Sequence, residues 1–372
     1  MSRGSRVLVL NERDPAHPQA GGAEIHVAET FGRLAARGYQ VTLAASSFAG
    51  CAPREVIDGI EVRRLGALPL YYPRVAGFCA LETRRGTFDL VVECLNKVPF
   101  YAPVYSAAPV LALCHHLFGE TAFMQVAWPI AATVWLAERA IPPLYRRRPF
   151  VAISESSRDD LARRGIPREQ IRVIHCGIEK PQVAADPALL APDRVAYLGR
   201  LEPYKNVDLL LRAMAQLAER FPRTEIVVIG RGSAQPGLEA LALDLGIAER
   251  TRFTGFVSNA ERNQLLAETR VCVCPSAKEG WGLTVIESNA VATPVVATDA
   301  PGLRDSVRPG ETGFLVPEGD VEAFAKRIAE LLSDDDLALR MSAAALAWSR
   351  EFDWDRSASE MAEALDAARG DC

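Results

Sequence analysis

Several features are missing from this chain of 372 residues, and each absence excludes a class of protein. Its eight cysteines include no C-x-x-C pair, so the sequence contains neither a zinc knuckle nor a dithiol redox motif. The net charge is −5, which gives no electrostatic footprint for nucleic acid. We therefore expect no metal site and no nucleic-acid partner.

A secretory leader and a membrane-spanning segment are also missing. The start of the chain, Met1 to Arg6, runs directly into a predicted strand. One almost wholly apolar stretch, Ala122 to Ala137, is too short to cross a bilayer and is interrupted by Pro129. Together with the unpaired cysteines, these absences lead us to expect a cytoplasmic protein.

That apolar stretch has two interpretations. It contains Trp128 and Trp135 and is followed by Arg146-Arg147-Arg148, a combination typical of a helix on a membrane surface. Apolar stretches of this length usually belong to a core, so the sequence favours a buried helix in the amino-terminal domain. The alternative is a peripheral contact with the inner face of the membrane, which predicts a substrate carried by a lipid.

What the chain does contain is a repeated alternation of strands and helices. Strand Arg6 to Leu10 is followed by a long loop, a helix from about Ala23 to Ala36 and strand Gln40 to Ala45. This order predicts parallel strands joined by helical crossovers. Further strands are predicted at Leu90 to Glu93, Val110 to Cys114, Phe150 to Ser154 and Ile171 to His175.

The alternation breaks between Gly177 and Pro192, where three prolines (Pro181, Pro187 and Pro192) predict a domain linker. A second alternation begins with strand Arg194 to Leu198 and an amphipathic helix. The predicted fold class is α/β, with two doubly wound, Rossmann-like domains, 1–178 and 179–354, that face a central cleft. Ligands of such sheets bind at the carboxyl ends of the strands.

Two glutamates eight residues apart are the most informative feature of the second domain. Glu279 falls in a loop after a predicted strand, and Glu287 falls about one turn inside the following helix. The backbone N–H groups of Gly282, Leu283 and Thr284 at the helix start favour an anion. A phosphate site between two carboxylates suits a sugar joined to a nucleoside diphosphate. The alternative is two ordinary surface glutamates.

The loop from Gly199 to Asn206 contains two cations, Arg200 and Lys205, between a predicted strand and a predicted helix. Preorganised cations neutralise the charge that develops on a diphosphate leaving group, and no metal is then required. Arginine binds such a group bidentately, whereas lysine acts as a point charge. The alternative is a pair of ordinary loop cations.

Two candidate positions lie in the first domain. Gly21 and Gly22 open the first helix, where glycines allow a ligand to approach the backbone, although the spacing is not that of a G-x-G-x-x-G dinucleotide motif. His115 and His116 follow a predicted strand and can donate to a sugar hydroxyl. The alternatives are a flexible turn and a histidine bonded to nearby backbone.

These segments occur in the same order as in the family 4 retaining glycosyltransferases of the GT-B fold, and the chain resembles that family. The resemblance covers nearly the whole chain, and the carboxyl-terminal two-thirds is the more specific part. It rests on Gly21-Gly22, His115, 151–155, 174–178, Gly199-Arg200 with Lys205, 228–230, 253–257, Glu279 with Glu287, and 310–316.

The resemblance implies a role for each candidate residue. Arg200 and Lys205 hold the donor diphosphate, while Glu279 binds the hydroxyls of the transferred sugar and Glu287 binds the ribose. The remaining implied contacts are Gly282, Leu283 and Thr284 with the phosphates, Gly230 and Val257 with the nucleobase, and Gly21, Gly22, His115 and His116 with the sugar. A last helix, 355–372, is expected to cross back onto the acceptor-side domain, 1–178, and 179–354 is expected to bind the nucleotide sugar.

Three positions depart from the family's pattern. Trp281 stands where phenylalanine is usual, and His116 follows His115 where a small or acidic residue is commoner. Pro301-Gly302 replaces a frequent Gly-Gly pair, a change that we expect to affect only a turn.

The expected function is the transfer of a hexose-type sugar from a nucleoside-diphosphate sugar to an acceptor hydroxyl, with retention of configuration. No side chain is an obvious nucleophile, and the nucleotide sugar is a co-substrate, so we expect neither a cofactor nor a metal. Acceptor contacts are expected from two loops, Asn11 to Gly22 and Leu68 to Arg85. The expected product is a cell-envelope glycan, a glycolipid or a natural-product glycoside. The alternatives are a sugar-nucleotide epimerase of the same fold and a non-catalytic nucleotide-sugar binder.

Overall fold

The structure of the protein, a computed structural model, describes residues 4–95, 98–119, 123, 127–181, 183, 186 and 193–370. Two units make up the chain: Met1–Gly177 together with Asp353–Cys372, and Ile178–Phe352. Pro187 and Pro192 of the predicted linker, and Ala122 at the start of the apolar stretch, lie outside the described residues.

The amino-terminal unit is built on an eight-stranded sheet in the order β3-β4-β2-β1-β5-β6-β7-β8. Its neighbouring strands are parallel except for the antiparallel pair of β3 and β4. The central strands are continuous apolar runs because helices cover both faces of such a sheet. The strands are β1 Arg6–Leu10, β2 Gln40–Ala45, β3 Arg54–Ile57, β4 Ile60–Arg64, β5 Leu90–Leu95, β6 Val110–Cys114, β7 Phe150–Ala152 and β8 Ile171–Val173.

In the described part of this unit, several helices precede the second sheet. They are α1 Gly22–Ala36, α2 Tyr71–Arg84, α3 Ala102–Tyr105, α4 Trp128–Arg139, α5 Ile141–Tyr145 and α6 Glu155–Arg163. The region from Leu68 to Arg85, which the sequence led us to treat as an acceptor-side loop, is instead largely the helix α2. Tyr71, Val75 and Cys79 bury one face of α2 at a spacing of four residues.

The apolar stretch is only half in the core, so the prediction of a buried helix is wrong for its outward side. Ala131 and Val134 of α4 are buried, whereas Trp128 is 72% exposed and Leu136 is 60% exposed. Among the described helices, none is both long enough and apolar enough to cross a membrane.

The carboxyl-terminal unit has a six-stranded parallel sheet in the order β11-β10-β9-β12-β13-β14. The strands are β9 Arg194–Leu198, β10 Glu225–Ile229, β11 Thr251–Gly255, β12 Val271–Cys274, β13 Val295–Thr298 and β14 Gly313–Val316. The helices are α7 Val207–Gln216, α8 Gln235–Asp244, α9 Asn259–Ala267, α10 Leu283–Asn289, α11 Leu303–Ser306, α12 Val321–Ser333 and α13 Asp335–Ser349. Single turns of 3-10 helix lie at Arg168–Gln170, Pro203–Lys205 and Ala248–Arg250.

The last helix, α14 Trp354–Gly370, belongs to the amino-terminal unit and packs against α1. Arg33 of α1 pairs with Asp355 at 3.2 Å, and Arg37 donates to Ser359 Oγ at 2.9 Å. The ring of Trp354 is stacked on His26 of α1, with 5.9 Å between ring centroids. The helix therefore contributes to the surroundings of a histidine on α1.

Candidate active site

The carboxyl-terminal unit gathers its polar loops at one edge of the sheet. Strand β9 lies between β10 and β12, and the strand order changes direction between β9 and β12. In a doubly wound sheet, the region beyond the strand ends at such a reversal is the usual ligand site. Arg200 and Lys205 follow β9 and Glu279 follows β12, so three predicted site residues share this position.

Lys205 and Glu279 form an ion pair across these two loops. The distance from Lys205 Nζ to Glu279 Oε1 is 2.5 Å, and the two side chains are 12% and 20% exposed. Burial by itself lowers the pKa of Lys205, but the Glu279 carboxylate and Tyr204 outweigh it, so the pKa is raised. The site therefore holds a charged ammonium beside a carboxylate, and neither group is fully enclosed.

Main-chain hydrogen bonds fix the position of this pair. The N–H of Ala277 donates to the carbonyl of Tyr204 at 3.1 Å, which joins the loop after β12 to the loop after β9. The N–H of Glu279 donates to the carbonyl of Pro301 at 3.0 Å. The two charged side chains therefore extend from a backbone that is held from both sides.

Two glycines permit the close packing of these loops. Gly302 has a φ of +81°, and a Cβ added there would lie 2.4 Å from the carbonyl oxygen of Glu279. Gly282 has a φ of +76°, and its added Cβ would lie 2.5 Å from Ser306 Oγ. The Pro301-Gly302 turn thus supports the Glu279 loop directly, so the expectation that it affects only a turn is too narrow.

Glu287 pairs with a residue that the sequence did not single out. Arg262 Nη1 donates to Glu287 Oε1 at 2.8 Å, and the same guanidinium donates to Asn263 Oδ1. Burial raises the pKa of Glu287, and the charge of Arg262 offsets part of that rise. Arg262 therefore orients this carboxylate. The two residues are 25 positions apart on different helices, a pairing that no short motif indicates.

Groups suited to an anion lie at the same edge. Arg200 is exposed, and its Nη2 donates to Tyr204 Oη at 3.1 Å. Gly282 is the N-cap of α10, and Leu283 and Thr284 are the first residues of that helix. The predicted phosphate contacts thus lie where the polar loops of this unit meet.

Gly230 and Val257 lie beyond β10 and β11, where the nucleobase contacts are predicted. Gly230 has a φ of +135°, and its added Cβ would lie 1.9 Å from the carbonyl oxygen of Gly199, so only glycine fits there. Next to the half-buried Val257, the ring of Phe256 is exposed, with the Arg231 guanidinium 5.5 Å from its centroid. This aromatic surface was not among the predicted site residues.

In the amino-terminal unit, Gly21 and Gly22 stand at the start of α1. The N–H of Gly21 donates to Glu24 Oε2 at 2.7 Å, which caps the helix. A Cβ added to Gly22 would meet no atom within 4 Å, and the φ of Gly22 is not in the left-handed region. The fold alone therefore does not require glycine at position 22.

His115 follows β6 and is buried against His26, a second residue that the sequence did not single out. His26 Nδ1 and His115 Nε2 are 3.0 Å apart, so one nitrogen donates and the other accepts. Burial lowers the pKa of His26 to about 4 and that of His115 well below its usual value, so both rings are neutral near pH 7. Among the described residues, His115 Nδ1 and His26 Nε2 have no hydrogen-bond partner.

The backbone at His115 is also held in place. Ser157 Oγ donates to the carbonyl of His115 at 2.9 Å, and Ser154 caps α6 by accepting the N–H of Ser157. His116 is half-buried, and its ring lies 4.8 Å from that of Phe118. Within this unit, Ser154 and Ser157 at the start of α6 therefore support the backbone of the predicted histidine.

The acidic run Asp334-Asp335-Asp336 serves helix structure, as its position after a helix predicts. Asp334 Oδ1 accepts the N–H of Leu337 at the start of α13, and Asp335 pairs with Arg270 at 2.9 Å. A search of the described residues finds no group of three histidine, cysteine or acidic side chains able to hold a metal ion.

The models of two families match successive parts of the chain: Glycosyltransferase Family 4 over residues 20–180 and Glycosyl transferases group 1 over residues 186–348. A D-inositol 3-phosphate glycosyltransferase of Streptomyces scabiei is 31% identical, over 96% of this chain and 89% of that protein. The chain belongs to the family 4 glycosyltransferases. A D-inositol 3-phosphate glycosyltransferase of Mycobacterium avium is also 31% identical to this family 4 glycosyltransferase, over 94% of this chain and 91% of its own length.

Solved structures agree with this family 4 assignment at the level of the fold. Sucrose-phosphate synthase from Thermosynechococcus elongatus matches with a TM-score of 0.80 at 24% identity, covering 96% of this chain and 98% of that one. Anabaena HepE in complex with UDP-glucose matches with a TM-score of 0.76 at 20% identity, covering 97% of this chain and 99% of that one. The two parallel-sheet units are those of the GT-B fold, as predicted.

Proposed function

We propose that this glycosyltransferase transfers a hexose-type sugar from a nucleoside-diphosphate sugar to an acceptor hydroxyl, with retention of configuration. The observation that carries the proposal is the Lys205–Glu279 pair at the strand ends of the carboxyl-terminal unit. A donor of this kind carries anionic phosphates and neutral hydroxyls next to each other. A cation and a carboxylate 2.5 Å apart match those two halves.

The donor separates the pair in this proposal. The diphosphate takes Lys205 and the exposed Arg200, while the sugar hydroxyls donate to Glu279. Glu287, oriented by Arg262, accepts from the ribose hydroxyls, and the nucleobase lies near Gly230 and Val257. HepE, which shares the fold, forms a complex with UDP-glucose, and this supports a nucleotide sugar as the donor.

Catalysis in this proposal is electrostatic. The bond between the anomeric carbon and the diphosphate oxygen breaks with its electron pair going to the phosphate, and Lys205 and Arg200 stabilise that charge. The acceptor oxygen then bonds to the anomeric carbon on the face that the diphosphate leaves. The departing phosphate takes the acceptor's proton, so no protein nucleophile, cofactor or metal ion takes part.

In the amino-terminal unit, Gly21, Gly22 and His115 are assigned to the sugar. We assign His115 Nδ1 to a sugar hydroxyl, because Nε2 is hydrogen-bonded to His26 and Nδ1 has no hydrogen-bond partner among the described residues. The relatives from Streptomyces and Mycobacterium are D-inositol 3-phosphate glycosyltransferases, which favours a phosphorylated polyol as the acceptor. Envelope glycans, glycolipids and natural products are acceptors to test beside it.

The test is a product assay with UDP-, GDP-, ADP- and dTDP-sugars, each with and without D-inositol 3-phosphate, in the presence of EDTA. The proposal expects one donor to give a glycoside whose anomeric configuration, determined by proton NMR, equals that of the donor. An inverted product, or activity abolished by EDTA and restored by a metal, contradicts the mechanism. Conversion of the sugar nucleotide without any acceptor indicates an epimerase, and binding without turnover across a broad acceptor panel indicates a binding protein.

A further inference from the structure

The outward side of α4 (Trp128–Arg139) exposes a group of neighbouring apolar side chains. Trp128, Ala132 and Leu136 follow one another at a spacing of four residues, and Trp135 lies beside them. Trp128 is 72% exposed and Leu136 is 60% exposed. With Phe123 they line an apolar groove of about 520 Å³. Exposed apolar residues are ordinary when single, whereas a contiguous patch marks an interaction surface.

The opposite side of the same helix already has its partners. Ala131 and Val134 are buried against Phe118. Glu138 accepts the N–H groups of Phe118 and Gly119 and pairs with Arg164 at 3.0 Å. The inner side of α4 is thus fully committed to the amino-terminal unit, and the outward side carries a second apolar surface that this packing does not explain.

The exposed charges on α4 and in the segment that follows it are of one sign. Segment 127–148 contains four arginines and a single acid, Glu138, in a chain whose net charge is −5. That acid is buried, whereas Arg139, Arg146 and Arg147 are exposed. Arg139 lies over the ring of Trp135, with 3.6 Å from Cζ to the ring centroid. The exposed charges of this segment are therefore cationic, and one of them, Arg139, contacts the apolar patch.

We propose that the outward face of α4, together with Arg146 and Arg147, docks this enzyme on an anionic lipid bilayer. Tryptophan is suited to the water–lipid interface because its ring is apolar and its N–H is polar. The leucine and tryptophan side chains enter the boundary between headgroups and acyl chains, and the arginines meet the lipid phosphates. Charge complementarity selects this occupant over a second copy of the chain, whose patch carries the same positive charge.

The docking does not depend on the proposed donor site, so the two can fail separately. The experiment is co-sedimentation of the full chain with vesicles of phosphatidylglycerol and phosphatidylcholine, and with vesicles of phosphatidylcholine alone, at low and high salt. We expect binding to the anionic vesicles at low salt and about tenfold weaker binding in high salt or without phosphatidylglycerol.

Three variants separate the contributions. Trp128→Ser with Leu136→Ser removes the apolar contact, and Arg146→Ser with Arg147→Ser removes the charge; each double variant is expected to weaken partitioning by about tenfold or more. Leu243→Ser is the matched control, since Leu243 is 69% exposed in the other unit, and it is expected to bind as the wild type does. Circular dichroism checks that every variant is folded.

Failure of the wild type to bind anionic vesicles at low salt overturns the proposal. Equal binding by all three variants also overturns it. A concentration-dependent dimer in light scattering that disappears in the Trp128→Ser, Leu136→Ser variant assigns the patch to a second copy instead.

Discussion

The two units place different kinds of polar pair beyond their strand ends. In the carboxyl-terminal unit, Lys205 and Glu279 are both charged and remain partly exposed. In the amino-terminal unit, His26 and His115 are buried and neutral, and His115 is only 5% exposed. A charged, accessible pair suits an ionic ligand such as a diphosphate. A neutral, enclosed pair suits a hydroxyl, because a hydroxyl is recognised by directional hydrogen bonds rather than by charge.

The two pairs also differ in what keeps them ready to bind a ligand. The backbone that carries the charged pair is held by the main-chain hydrogen bonds of Ala277 and Glu279, so only the two side chains need to separate when a ligand binds. The neutral pair depends on burial, since desolvation keeps both rings uncharged, each with one N–H, and one of these N–H groups forms the hydrogen bond between His26 Nδ1 and His115 Nε2. Substitutions can test the charged pair and the neutral pair separately.

The largest effect is expected for Lys205→Ala. Removing a preorganised charge from a leaving-group site lowers kcat by about 100-fold to 1,000-fold, with a folded protein. The measurement is steady-state kinetics with the identified donor, and circular dichroism monitors the fold. Lys326→Ala, an exposed lysine on α12, is the matched control and should keep wild-type kcat. Wild-type activity in Lys205→Ala would show that the charge of Lys205 does not stabilise the leaving group.

Glu279→Gln is expected to lower kcat by about 10-fold to 100-fold, because the amide binds sugar hydroxyls less strongly and no longer orients Lys205. Lys205 and Glu279 are in contact, so the loss in the double variant should be smaller than the product of the two single losses. A double-mutant cycle of kcat/KM measures this coupling. Independent, multiplicative effects would show that the ion pair has no role in the reaction.

Gly22→Ala separates a ligand role from a folding role in the amino-terminal unit. A Cβ at this position meets open space, so the melting temperature should not fall. If the donor approaches the backbone there, KM should rise about tenfold or more, since a methyl group intrudes on the ligand. Gly237→Ala, whose Cβ also meets open space, is the control and should leave KM unchanged. Equal kinetics in both variants would remove Gly22 from the site.

The last prediction concerns stability rather than activity. The pKa of His26 is lowered to about 4 in the folded protein, against 6.5 in an unfolded chain. The unfolded state therefore binds more protons between those values, and the free energy of unfolding should fall as pH drops from 6.5 toward 4. The contribution of His26 is on the order of 3 kcal/mol across that window.

Urea unfolding of the wild type and of His26→Gln between pH 4.5 and pH 7.5 measures this effect. Glutamine keeps a group able to bond to His115 but does not titrate, so the pH dependence should be shallower in the variant. Parallel curves would contradict the assignment of a neutral, buried His26.

Much of the fold could be predicted from the sequence because the central strands are short apolar runs with clear ends. β1, β2, β6 and β9 have the predicted bounds to the residue, although none of these runs reveals its neighbours in the sheet. The hairpin of β3 and β4 was missed because it lies at the sheet edge and carries charges, including Arg54 and Arg63. Helix α2 was missed because it contains Pro73 and Gly77, two residues that disfavour a helix.

The candidate site was predicted residue by residue but not as pairs. Glu279, Glu287, Lys205 and His115 were identified by their place after strands or in helices. Their partners come from elements that are distant in the chain: Lys205 and Glu279 are 74 residues apart, and His26 and His115 are 89 residues apart. Pairing of this kind depends on tertiary packing, which local sequence patterns do not encode.

The most direct test of the proposed donor site is a thermal-shift titration of wild type and Lys205→Ala with UDP-, GDP-, ADP- and dTDP-sugars. A donor at a hundred times its Kd adds about 2.7 kcal/mol to the free energy of unfolding, enough for a visible shift. We expect one nucleotide sugar to stabilise the wild type and not Lys205→Ala. Equal stabilisation of both proteins would contradict a donor site built around Lys205 and Glu279.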